Sequence, residues 1–223
     1  KISKVTIRNI FIRFSNYRRK HGVLHALFHS LEITKRDLLN SEFLIYIVDL
    51  ESLEWPVSYG MGLSLQSCAD GESKTIDVLK QLSSFRDPRI IAEEAGERFR
   101  RKAELWYARR DSNIVAFVWA MYGDTPKPYF FQLNDDDVYL FDNEVLEEHR
   151  GQGINAIFLD GILYALKEKG YKRAFIDTET WNISQMKSLG KTKFRIYAHG
   201  QKIRLFGLCK ASFKFTPVQN RFS

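Results

Sequence analysis

The chain has 223 residues, 44% of them hydrophobic, enough for one sizeable domain, alone or with an extension. Its net charge of +7 suits an anionic partner, whether a small molecule, nucleic acid or a membrane surface, without choosing among them. Two cysteines, Cys68 and Cys209, with no CxxC or Cys/His spacing, argue against a disulfide framework or a structural zinc. No apolar run is long enough for a bilayer and no secretory signal is read at the start, so the expectation is a soluble, cytoplasmic, metal-free protein.

Residues 1–14 alternate basic and apolar side chains and read as a strand or as the first turn of a basic helix. From Ser15 to Leu39 the pattern turns helical, with Leu24, Leu27, Phe28 and Leu31 at helical spacing. Phe43 to Leu50 is a β-rich apolar run and predicts a buried strand. Residues 55–75, with Pro56 and several Gly, Ser and Asp, read as loop. Thr75 to Leu82 predicts a short helix. A second runs from Pro88 with Asp87 as its N-cap and continues through Ile90 to Lys102. Glu104–Arg110 and Ile114–Tyr122 predict a hairpin about Asp111-Ser112-Asn113, with Trp106 and Trp119 in the core. After a break at residues 124–128, Tyr129–Leu133 and Val138–Val145 are strand signals. Gly153 to Lys169 predicts a long helix stopped by Gly170. Arg173–Thr178 predicts a strand, Ser184–Leu189 a short helix, and Phe194–His199 with Lys202–Leu208 a closing hairpin about Gly200.

The chemistry concentrates where the Val138–Val145 strand meets the long helix, at Val145-Leu146-Glu147-Glu148-His149-Arg150-Gly151-Gln152-Gly153-Ile154-Asn155. The first N–H groups of a helix have no internal partner, and the helix dipole adds partial positive charge there. Gly151 and Gly153 let the backbone curl so that successive N–H groups converge with no Cβ in the way, and Arg150 adds fixed charge. Such a loop is built to hold a diphosphate.

The same run resembles the acyl-CoA-binding loop of the GNAT superfamily, the acyl-CoA-dependent N-acyltransferases. That loop is Arg or Gln, two residues, Gly, one residue, then Gly or Ala; Asn155 departs from the last position. Val138–Val145 is similar to the family's fourth strand. Asn182-Ile183-Ser184 and Phe194 are similar to its Asn, small residue, basic helix, Gly-Phe segment, with Lys193 in place of the Gly. The order of elements from residue 75 also fits. The resemblance implies an α+β fold with a mixed, mostly antiparallel central sheet flanked by helices over 43–223; residues 1–42 lie outside it and, from their own pattern, read as an N-terminal helical extension.

The resemblance further implies transfer of an acyl group, acetyl first of all, from acetyl-CoA to a small-molecule or peptide amine. Val145, Leu146, Arg150, Gly151, Gln152, Gly153, Ile154 and Asn155 are expected to hold the pantetheine and diphosphate, with Asn182 and Ser184 on the arm. An N–H near Leu146 is expected to polarise the thioester carbonyl. The family's usual thiolate-protonating Tyr has no counterpart near Ser188 or Leu189, and Phe141 stands where a few relatives carry a Glu base. The nearest carboxylates, Asp142 and Glu144, alternate in phase on a strand, are expected on one side, and are the candidate bases. Two other readings stay open: a GNAT-like protein that binds CoA or a partner without catalysis, and an acyltransferase with a sugar hydroxyl acceptor. His149 reads as packing, and His21, His25 and His29 as a surface stripe. Glu97–Lys102 reads as a solvated helix face. Arg18-Arg19-Lys20 with its aromatic neighbours also reads as solvated, compatible with weak membrane-surface contact; no nucleic-acid partner is expected.

Overall fold

A computed structural model describes residues 41–54, 62–83, 87–124, 129–203 and 212–218, with Arg18, Gly22 and Val23. The helix predicted over Ser15–Leu39 lies, those three residues apart, outside the described residues, as do the segment before it and the histidine stripe.

Eight strands form one sheet: β1 (Ser41–Asp49), β2 (Leu63–Cys68), β3 (Glu104–Arg110), β4 (Asn113–Tyr122), β5 (Asp137–Val145), β6 (Arg173–Glu179), β7 (Arg195–Ile203) and β8 (Ser212–Pro217). Their spatial order is β2-β3-β4-β5-β6-β1-β7-β8. Every neighbouring pair is antiparallel except β5–β6, which is parallel. β1 thus enters the middle of the sheet, between β6 and β7, and its start at Ser41 lies just ahead of the predicted boundary at residue 43. The helices are α1 (Ser73–Leu82), α2 (Pro88–Arg100), α3 (Ile154–Glu168) and α4 (Ile183–Leu189). α2 begins as its sequence requires: Pro88 sits in the first turn, and the Asp87 carboxylate accepts the Arg89 N–H at 3.0 Å.

Alternation along the strands sorts side chains to two faces. On one, Val138, Leu140, Ala174 and Ile176 pack under Ile154, Phe158, Leu159, Ile162 and Leu163 of α3. On the other, Leu105, Tyr107, Phe117 and Trp119 meet α1 and α2. Further along that face Ile45, Ile47, Tyr139 and Phe175 are covered by Phe130 and Leu133, with no helix among the described residues packed on them. β4 is covered on both faces, so its run Ile114–Met121 is apolar and buried throughout.

Three expectations are corrected. Residues 55–75 are not all loop: β2 pairs with β3 over Leu63–Cys68, and its alternation of Leu with Ser and Gln is that of an edge strand, which a reading for turn residues passes over. Tyr129–Leu133 is not a strand; its aromatic side chains cap the sheet instead of joining it. Gly200 does not turn a hairpin. β7 runs straight through it, paired with Phe43 of β1 and Phe215 of β8. A Cβ at Gly200 would lie 2.5 Å from the Phe130 ring, so close aromatic approach explains this glycine. No helix among the described residues is long and apolar enough to cross a membrane.

Candidate active site

The site begins where two parallel strands part. The β5–β6 ladder pairs Asp137–Leu140 with Arg173–Ile176 and then stops. Its base is pinned by Arg173, whose Nε and NH2 donate to both carboxylate oxygens of buried Asp137 at 2.7 and 2.8 Å. Beyond Ile176, β6 continues against β1, with Asp177 opposite Ile45, while β5 stays with β4. Phe141–Val145 therefore runs past the end of the β5–β6 pairing, and among the described residues no strand pairs with it on that side.

At the same point β5 bulges. The β4–β5 register slips between Phe117 and Trp119, and Asp142 takes a positive φ of 50°. The slip breaks the alternation that put Asp142 and Glu144 on one side. The Asp142 carboxylate accepts from Arg98 NH1 at 2.8 Å and borders a void of only about 10 Å³ between α1, α2 and β4. Glu144 lines a separate cleft of about 540 Å³ and pairs with Arg150 at 3.2 Å.

That large cleft gathers Glu144, Val145, Arg150, Gly151, Gly153, Ile154, Asn155, Asn182 and Ser184. Gly151 and Gly153 both have φ of 77°, and Gly153 opens α3 without a side-chain cap. Among the described residues no hydrogen bond reaches the N–H groups of Gly151, Gly153, Ile154 or Asn155. Lys187 and Lys191 of the far wall join Arg150 against the single carboxylate of Glu144, so the lining is cationic. The unspent N–H groups and this charge fit a polyphosphate. His149, expected to pack, also lines the cleft.

Other predicted residues fall differently. Leu146 is buried, and its N–H donates to Val115 O at 2.9 Å, so it is not turned to a thioester carbonyl. Gln152 accepts from Arg110 NH1 at 3.0 Å outside the cleft lining. Arg150 Nε donates to Val145 O at 2.9 Å and braces the end of β5. Asn182 caps α4, its Oδ1 accepting the Gln185 N–H at 3.1 Å. Asn155 does not crowd the loop: Asn143 Nδ2 donates to its Oδ1 at 2.9 Å, and its Nδ2 donates to Ser188 Oγ at 2.8 Å. This chain ties β5, α3 and α4 together and uses the Ser188 oxygen as an acceptor, leaving that hydroxyl its own proton to give.

Sequence reasoning missed several groups. Asn143 lines the cleft with its Oδ1 buried and unpartnered. Asp177, one residue past the end of the ladder, accepts from Tyr129 at 2.8 Å and Tyr139 at 2.5 Å, both on Oδ1. Burial pushes the Asp177 carboxyl above the usual carboxylate range, against the pull of the two hydroxyls. The signal was present as one Asp inside the apolar strand Ala174–Thr178. Among the described residues no group of three or more His, Cys, Asp or Glu is placed to hold a metal.

The comparisons agree with this geometry. Residues 74–190, just over half the chain, match the acetyltransferase (GNAT) family. The chain is 29% identical over 102 residues to human N-acetyltransferase 8B, covering 42% of this chain and 43% of that protein. It is similar in fold to an acetyltransferase from the GNAT family of Colwellia psychrerythraea (TM-score 0.52, 16% identity, 80% of this chain and 56% of that one). It is similarly related to a functionally unknown conserved protein of Staphylococcus epidermidis (TM-score 0.51, 14% identity, 78% and 64%). The chain thus spans less than half of the curated relative and under two thirds of these solved chains. With the parted strands, the glycine loop and the family match in the same stretch, this chain belongs to the GNAT family of acetyltransferases.

Proposed function

We propose that this chain transfers an acyl group, acetyl in the first instance, from acyl-CoA to an amine. The observation that carries the reading is the cleft itself. It joins the strand edge at Asn143–Val145, beyond the end of the β5–β6 ladder, to a loop whose N–H groups at Gly151, Gly153 and Ile154 make no hydrogen bond among the described residues. An amide-rich arm satisfies the first and a diphosphate the second. Lys187 and Lys191 add charge for a further phosphate. The thioester supplies an activated acyl carbon. Ser188, held through Asn155, has a proton to offer a departing thiolate.

Calorimetric titration with acetyl-CoA, free CoA and dephospho-CoA tests the reading. Micromolar binding, weaker for dephospho-CoA, is the expected result, and no binding to any of the three overturns it. Gly153→Glu is expected to cost roughly 100-fold or more in acetyl-CoA affinity, because it sets a carboxylate against a diphosphate. Unchanged affinity in that variant removes the loop from the site. A second reading, binding without turnover, draws on the ion pairs that occupy Asp142 and Glu144. Thiol release with any amine of a panel excludes it.

A further inference from the structure

Asp177 is part-buried and lacks the ion pair that such carboxylates usually have. Its Oδ1 receives two neutral phenol hydroxyls, no hydrogen bond reaches Oδ2 among the described residues, and it makes no ion pair there. Burying a carboxylate with no ion pair is costly, and Lys202 of β7 only moderates that cost. The walls are aromatic. Tyr129 lies 4.9 Å from Tyr139, and Tyr139 stacks on Phe141 at 5.5 Å and 12°. A carboxylate with aromatic neighbours is chemistry that suits an alkylammonium ion, which pairs with the charge and lies against a ring.

Position supports the same occupant. Continuing the β5–β6 register past Leu140 and Ile176 puts Phe141 and Asp177 at the first parted step. Asp177 shares its face with Ile45, Tyr139 and Phe175, whereas Asn143 reaches to Asn155 of α3 on the other face, where the cleft lies. The parted step lies between the two faces, where an acceptor on one side would meet an acyl donor on the other.

Resting on the acyl-transfer reading above, we propose that Asp177, with Tyr129 and Tyr139 as positioning residues, forms the acceptor subsite, which binds a cationic alkylamine and takes its proton. The ammonium N–H bond breaks, its proton goes to Oδ2, and the nitrogen keeps the electron pair. That pair forms the C–N bond to the thioester carbon. The C–S bond breaks with its pair on sulfur, the nitrogen sheds a second proton, and the sulfur takes one up, so charge balances. Asp177 then returns its proton to solvent. The charged and titratable groups around the carboxyl are Tyr129 from the capping segment, Tyr139 of β5, Glu179 of β6 and Lys202 of β7. Its raised proton affinity suits a base.

The test is calorimetric titration of the full chain and of Asp177→Asn with n-butylammonium, phenethylammonium and spermidine, with phenethyl alcohol as the uncharged control and acetyl-CoA alongside. Asn still accepts from both tyrosines, so the fold is expected to hold. The variant is expected to lose roughly 10- to 100-fold in affinity for the amines, with the alcohol and acetyl-CoA unchanged. Tyr139→Phe removes a bond that holds the carboxyl's proton affinity down, and is expected to move the acid limb of amine binding to higher pH. Amine affinity unchanged in Asp177→Asn, or acetyl-CoA binding with no amine binding to the natural chain, overturns the subsite. Amine binding that needs Asp177 without acetyl-CoA binding leaves the subsite standing and removes the acyl-transfer reading.

Discussion

Asp142 and Asp177 stand on adjacent strands at the point where those strands part, and their surroundings are opposite. Asp142 faces a guanidinium: Arg98 donates to it at 2.8 Å, pairs with Glu94 at 3.3 Å, and lies over the Trp119 and Phe141 rings at 5.0 and 5.4 Å. Asp177 accepts from two phenols and makes no ion pair among the described residues, with Lys202 of β7 acting on it only through its field. Phe141 stands between the two settings, with Arg98 over it and Tyr139 stacked on it. A carboxylate tied to a guanidinium on packed helices holds a bulge in place. A carboxylate given only neutral donors keeps its affinity for a proton and for a mobile cation. Asp142, one of the two carboxylates the sequence offered as a base, is tied into an ion pair, whereas Asp177, which makes none among the described residues, sits a strand away.

The contrast can be broken first from the Arg98 side. Arg98→Ala removes the guanidinium that pairs with Asp142 at a positive-φ position, and is expected to cost about 3 kcal/mol, the low end for breaking a buried pair because both side chains keep some exposure. Urea unfolding measures it, and a loss under about 1 kcal/mol would show that the bulge holds without the pair. The Asp177 side is challenged by Gly200→Ala. The new Cβ would meet Phe130, whose ring is held by Phe43, Tyr129 and Phe213 at 5.3, 5.1 and 4.9 Å and cannot swing away freely. Overpacking is expected to cost about 2 kcal/mol and, by shifting Tyr129, to weaken amine binding while acetyl-CoA binding stays. Equal losses for both ligands would mean the two faces are not independent.

The parts of this molecule written in local pattern were legible. The loop Arg150–Asn155, the helix after it, the cap at Asp87 and the buried run of β4 follow from residue type and spacing alone. What failed depended on partners distant in sequence. Gly200 looks like a turn until Phe130 is laid against it, and Tyr129–Leu133 looks like a strand until it is placed over the sheet. Asp142 and Glu144 share a phase only on a regular strand, and the slip against Phe117 and Trp119 cannot be read from β5 itself. Asn155, a departure from the family loop, became intelligible only through Asn143 and Ser188. Asp177 carried a weak signal, because one acidic residue in an apolar strand does not say who its neighbours are.

The smallest expected effect bears most directly on the difference between the two carboxylates. Asp177 in the folded chain binds its proton more readily than in the unfolded chain, first because of burial. Between the ordinary carboxylate value and the raised one, the folded state carries more protons, so this group's contribution to stability falls as pH rises through that window. Above it, the full cost of the buried charge remains. Asp177→Asn carries no charge at any pH and keeps both tyrosine bonds. It is therefore expected to be more stable than the natural chain at about pH 7.5 and to lose that advantage at about pH 2.5, where Asp177 is protonated in both states. Urea unfolding of both chains at the two pH values measures the difference. A variant less stable at the higher pH would mean that the Asp177 charge is stabilising, and hence that it already has a counter-ion.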